Sequence, residues 1–312
     1  MKSFKVVAGV LALAIVASGC SSTKEAGSGE KRIEKGFRAE HLHGIAYAAD
    51  ETIYITTHEG MLATQNGGME WTMKGNYDFD FMGFNVMSDG SMITSGHPGK
   101  ASSLLNPLGV MVSENNGEEW ESESLLGKVD FHILTANYSN PSVIYGINQM
   151  DSGNYKTGIY KSMDKGKEWE RIDSEGLPND LHQIYTLISS PDDENSLLAG
   201  TSNGVMQSYD GGESWEVTDS SRLITAVGVI SGSKQLVSYS ITNRESGIMS
   251  SGDFGKTWTY HGLDLGEDAV AYIGIHPIVP DKMVVATFEN TVLSSKDGGG
   301  KWTTLLDKGA IQ

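Results

Sequence analysis

One pattern recurs six times along these 312 residues: Ser or Thr, any residue, Asp or Asn, any residue, Gly, two residues, then Trp. The copies occupy 64–71, 113–120, 162–169, 208–215, 251–258 and 295–302, and they use all 6 tryptophans of the chain. The spacing is about 45 residues, the size of one four-stranded sheet in a radially repeated architecture. Each copy has a local physical logic. Asn66, Asn115, Asp164, Asp210, Asp253 and Asp297 can accept hydrogen bonds from the turn backbone. The glycine supplies a positive φ, and Trp71, Trp120, Trp169, Trp215, Trp258 and Trp302 can pack the turn onto its sheet.

This repeat resembles the Asp-box, or BNR repeat, of sialidases, sortilin-type receptors and related β-propellers. The resemblance covers residues 42–306 and implies an all-β chain with a single six-bladed β-propeller and an Asp-box in every blade. It also implies that the Asp-box residues are structural and lie on the face away from any active site. Strand-like runs complete each period: 43–48, 52–57, 60–64 and 70–73 in the first blade, and 269–275, 283–287, 291–295 and 301–305 in the last. Six blades, rather than seven, fit without remainder, the chain entering on an inner strand and leaving on an outer one.

The start of the chain reads as an export signal. Lys2 and Lys5 precede an apolar run from Val6 to Val16 that is too short to span a bilayer. It ends in Ala17-Ser18-Gly19-Cys20, which resembles a bacterial lipobox. Cys20 is the only cysteine, so a disulfide within the chain is impossible and acylation of Cys20 explains its position. The expected organisation is a lipoprotein signal peptide at 1–19, an acylated cysteine and flexible tether at 20–36, and a propeller at 37–312. The expected location is extracytoplasmic, anchored to the cell membrane. A formal charge of −17 repels phosphate backbones and argues against nucleic acid as a partner.

The polar residues add a functional expectation. In a propeller, loops entering the inner strands and leaving the second strands build one face, opposite the Asp-boxes. His43, His132 and His182 fall at the openings of inner strands, while His58 and His97 close second strands. Aligning the inner strands places His43, Met82, His132, His182 and Asp268 at one register position, with blade five offering only Ile224 or Thr225. Asp80 and Asp130 stand two residues before Met82 and His132. Rotational symmetry gathers these nine residues into a ring at the channel mouth. Imidazoles with carboxylates suit zinc or copper, and a thioether from Met82 or Met61 tilts the choice toward copper.

The leading expectation is transition-metal binding at the cell envelope. Carbohydrate binding or glycoside hydrolysis is the alternative, with Asp78, Asp80, Asp130, Asp180, Glu59, Glu289 and Asp268 as candidate carboxylates. A protein-binding scaffold is the third. The arginine cluster of a sialidase is missing: Arg171 follows an Asp-box Trp, leaving only Arg222 and Arg244 within reach of the top. The chain also resembles bacterial extracytoplasmic Asp-box proteins described as glycosyl hydrolase-like, through Leu42-His43-Gly44, Thr57-His58-Glu59-Gly60, Asp80-Phe81-Met82-Gly83-Phe84, Ser95-Gly96-His97-Pro98 and Asp130-Phe131-His132.

Overall fold

The computed structural model describes residues 24–26, 31–75 and 77–312. The signal peptide expected at 1–19 and the lipidation expected at Cys20 lie outside the described residues. The chain forms six antiparallel sheets, each built around four consecutive strands. Their inner strands are Leu42–Tyr47, Asp80–Val86, Phe131–Ala136, Ile184–Ser190, Leu223–Val229 and Val270–Ile275. Each inner strand packs against the next, and the sixth packs against the first, so the ring is closed. This is a six-bladed β-propeller.

Both faces of every sheet are covered by neighbouring blades, which is why the middle strands read as continuous apolar runs. In Ile53–Thr57, Ile53 and Ile55 face blade 6 while Tyr54, pointing the other way, faces blade 2. The core is therefore six seams, one between each pair of blades. The repeat tryptophans fill them in turn: Trp71 the seam between blades 6 and 1, then Trp120, Trp215 and Trp302 among others, each against the preceding blade. Trp120 stacks tilted on Phe81 at 5.1 Å and Trp169 on Phe131 at 4.8 Å.

The repeat turns follow their chemistry closely. The hydroxyl of Ser208 accepts from the Gly212 N–H at 2.9 Å and donates to Asp210 at 2.7 Å. The Asp210 carboxylate accepts from the Ser214 N–H at 3.0 Å, and the same bond recurs at Glu70, Glu119, Glu168, Thr257 and Lys301. Donors around Asp253, first the Thr257 hydroxyl and then the Thr257 N–H, hold its carboxyl down at about 2. The indole N–H of Trp169, Trp215, Trp258 and Trp302 closes onto the carbonyl of the motif glycine.

Among the described residues, three sheets carry a fifth strand. Lys24–Ala26 pairs with the outer strand of blade 2, and Lys31–Arg32 with that of blade 1. Both lie in the stretch expected as a tether. Beyond the outer strand of blade 6, Ala310–Ile311 pairs back onto Thr303–Asp307. The two ends of the domain then latch the ring: the Ala39 N–H donates to the Gly309 carbonyl at 2.9 Å, and the Leu42 N–H to Asn290 Oδ1 at 3.1 Å.

A histidine and aspartate arc at the channel mouth

The inner strands carry a bulge near their first residues. Leu42 opposes Thr57 while Gly44 opposes Thr56, which leaves His43 as the extra residue. The same count leaves His132 over in blade 3, Tyr185 in blade 4, Thr225 in blade 5 and Ala271 in blade 6. A bulge releases its residue from the ladder and re-aims the side chain. Here it delivers His43 and His132 to the wall of the central channel, where a cavity of ≈ 480 Å³ runs down to Tyr47 and Pro277 at the other end.

The bulge also corrects the sequence alignment. Tyr185, not His182, takes the register position in blade 4, because His182 lies in a 3₁₀ turn, Leu181–Gln183, ahead of the strand. That imidazole faces solvent and bonds Asp180 at 2.9 Å. Ala271, not Asp268, takes the position in blade 6. Asp268 instead accepts from the Ala269 N–H at 2.8 Å and the Glu289 N–H at 3.3 Å. In blade 2 the bulge moves to between Met82 and Asn85, so Met82 remains in the ladder opposite Ser95. Met61 is fully buried between blades, packed so closely on Gly117 that a Cβ there would meet its Cε at 1.8 Å. It is a core residue.

The other six predicted residues come together as two triads. In the first, His58 Nδ1 lies 2.8 Å from Asp80 Oδ2 and His43 Nε2 lies 3.6 Å from Asp80 Oδ1. In the second, Asp130 Oδ2 lies 2.7 Å from His132 Nε2 and 3.2 Å from His97 Nε2. Within each triad one donor atom per residue falls within 4.8 Å of the others. His97 is oriented from behind, its Nδ1 sitting 2.7 Å from Asn106 Oδ1.

Several of these atoms are buried without a hydrogen-bond partner: His43 Nε2, Asp80 Oδ1, Asp130 Oδ1 and, beside His58, Glu59 Oε2. Burial is the main reason that the His43 imidazole is held down at about 4, against the pull of Asp80 and with help from neighbouring His58, His41 and His132. His43 is therefore neutral at pH 7, with a lone pair to offer. His132 goes the other way, raised by its hydrogen bond to Asp130. Two imidazoles and a carboxylate with one oxygen lacking a hydrogen bond match the donor types that a borderline divalent metal takes.

A seventh side chain, not among the expected ligands, joins the arc. His41 packs edge-on to His58 with ring centres 5.0 Å apart and lies 6.4 Å from His43. Its signal was in the sequence, since it holds the same place before His43 that Asp80 and Asp130 hold before Met82 and His132. The other candidate carboxylates are dispersed: Asp78 packs on Gly99, and Glu289 pairs with Lys308 at 2.9 Å on the surface.

No protein-family model matches this sequence, and no curated protein matches it either. Solved structures do match in fold. A GH74 enzyme of Niastella koreensis superposes with a TM-score of 0.56 at 14% identity, over 86% of this chain and 47% of its own. A gluconolactonase from Xanthomonas campestris gives 0.55 at 15%, over 80% and 83%. YCF48 with a bound peptide gives 0.50 at 16%, over 88% and 85%. This chain thus spans about half the length of the GH74 enzymes it matches. At these identities the likeness establishes the propeller.

Proposed function

We propose that this propeller binds a divalent transition metal, zinc or copper, at the mouth of its channel. The first triad, His43, His58 and Asp80, and the second, His97, Asp130 and His132, supply the ligands. The observation that carries the reading is the placing of each carboxylate beside two imidazoles while one oxygen of Asp80, one of Asp130 and Nε2 of His43 remain buried without a hydrogen bond. Leaving such groups unsatisfied costs roughly 1–3 kcal/mol each, a cost that a coordinated cation removes. His182 and Asp268 have other partners, and a donor set of imidazole nitrogens and carboxylate oxygens suits zinc better than copper(I). Acylation of Cys20, extracytoplasmic placement and membership of the Asp-box lipoproteins belong to the same proposal, resting on the lipobox-like sequence and the six repeats.

The test is metal content of the full chain, extracted in detergent, incubated with zinc and copper and desalted. Retained metal near stoichiometry, lost in a His43→Ala/His132→Ala double variant, supports the reading. A folded chain that retains none overturns it. Carbohydrate binding at the same mouth is then the next reading, favoured by the carboxylate oxygens of Asp80 and Asp130 that lack a hydrogen bond and by the fold shared with GH74 enzymes, and checked by a glycan screen.

A further inference from the structure

The two triads are not copies of one another. Advancing by one blade carries His58 onto His97 and Asp80 onto Asp130, His58 just past the end of one second strand and His97 at the end of the next, and each aspartate reaching back to its histidine from the following blade. The same step carries Met82 onto His132. The first triad therefore lacks the imidazole that the second receives from the advancing blade. It borrows His43 from the blade behind, and with His43 comes His41.

Three features single out His41. Its backbone is in the left-handed region, φ 54°, where a non-glycine residue is uncommon and conformational strain is held by its surroundings. Those surroundings are the latch: Ala39 and Leu42, on either side, are bonded to Gly309 and Asn290 of blade 6. Finally, its ring stands with those of His43 and His58 at centre separations of 4.5, 5.0 and 6.4 Å. Imidazoles on one tetrahedral zinc, with Zn–N about 2.0–2.1 Å, put their ring centres roughly 5 Å apart. The three rings are thus already near coordinating positions, and exposed His41 can turn about its own side-chain bonds to complete them.

We propose that His41 is the fourth protein ligand of the first triad, making a closed site of three histidines and Asp80, while His97, Asp130 and His132 form a three-ligand site. The proposal rests on metal binding at this mouth. Four protein ligands are the pattern of a structural zinc site, and three leave a position for water or substrate. Because His41 belongs to the latch, the metal at the first site also ties the closing segment to blades 1 and 2.

The experiment isolates the first site in full-length chain carrying His97→Ala and His132→Ala, titrated with zinc at pH 7.5. One zinc is expected, with affinity falling roughly tenfold or more when His41→Ala is added. His41→Asp, which supplies the residue type found at the corresponding position of blades 2 and 3, is expected to recover most of it. With cobalt(II) in place of zinc, added azide should leave the visible bands of the parent unmoved and shift those of His41→Ala. One zinc bound with unchanged affinity in His41→Ala would overturn the fourth-ligand assignment and leave metal binding standing. No zinc in either the isolated site or the unsubstituted chain would overturn both.

Discussion

Asp80 pairs through its backbone with His97, on its own blade, yet turns its carboxylate to His58 on the blade before, 2.8 Å away. Asp130 repeats the gesture toward His97. The arc is therefore held by side chains that cross blade seams, and its geometry depends on the rotation between neighbouring sheets.

Because Asp130 is the main cause of the raised His132 pKa, Asp130→Asn should bring that value down, below the ordinary 6.5 as burial outweighs the remaining pull of Asp80. Histidine ring resonances followed by NMR through pH 5–8, in metal-free chain, measure it. An unmoved His132 would mean the bond is not made.

His43 makes stability depend on pH with a definite sign. Its folded value is about 4 against 6.5 for the free group, so between those values the unfolded chain takes a proton that the folded His43 refuses. Stability of the metal-stripped chain should fall as pH drops from 6.5 toward 4, by at most about 3 kcal/mol from this group. The raised His132 acts oppositely, contributing stability that is lost as pH rises through its folded value. Urea unfolding of parent and His43→Gln across this range separates the two, the parent showing the steeper loss.

Gly96 links the fold to the arc. A Cβ there would lie 1.9 Å from the Asp80 carbonyl oxygen, at φ 121°. Gly96→Ala should displace Asp80 and weaken metal retention at the first triad more than at the second. Zinc stoichiometry in His43→Ala and His132→Ala backgrounds, each combined with Gly96→Ala, reads the difference.

The repeat makes two graded predictions for stability. Ser208→Ala removes a buried hydroxyl and strands the Gly212 N–H, which costs about 1–3 kcal/mol. Trp120→Ala empties a fully buried seam position against Phe81, which costs about 3–5 kcal/mol. Chemical denaturation of both should rank them in that order.

The blades were legible because the pattern ending in Trp71, Trp120 and their counterparts fixes period and strand order together. The arc was legible in part. His43, His58, His97 and His132, with Asp80 and Asp130, sit at strand ends that sequence spacing can locate. His182 and Asp268 were each placed three residues too early: in blade 4 Leu181–Gln183 coils into a 3₁₀ turn ahead of the strand, where an extended start was expected, and in blade 6 the strand begins only at Val270. His41 was legible only through its register with Asp80 and Asp130, since its left-handed backbone and its ring contact with His58 leave no mark in the sequence pattern.

Each sheet takes its four main strands from one continuous stretch, and among the described residues the ring is shut by the apolar seam between blades 6 and 1 and a few bonds between 38–42 and 290–310, with no strand exchanged across the seam. The starting point of the polypeptide is therefore interchangeable. A circular permutant with the present ends of the domain joined and new termini opened between Asp219 and Leu223 would keep the four main strands of every sheet together, and would leave the histidine arc on the far side of the ring from the cut.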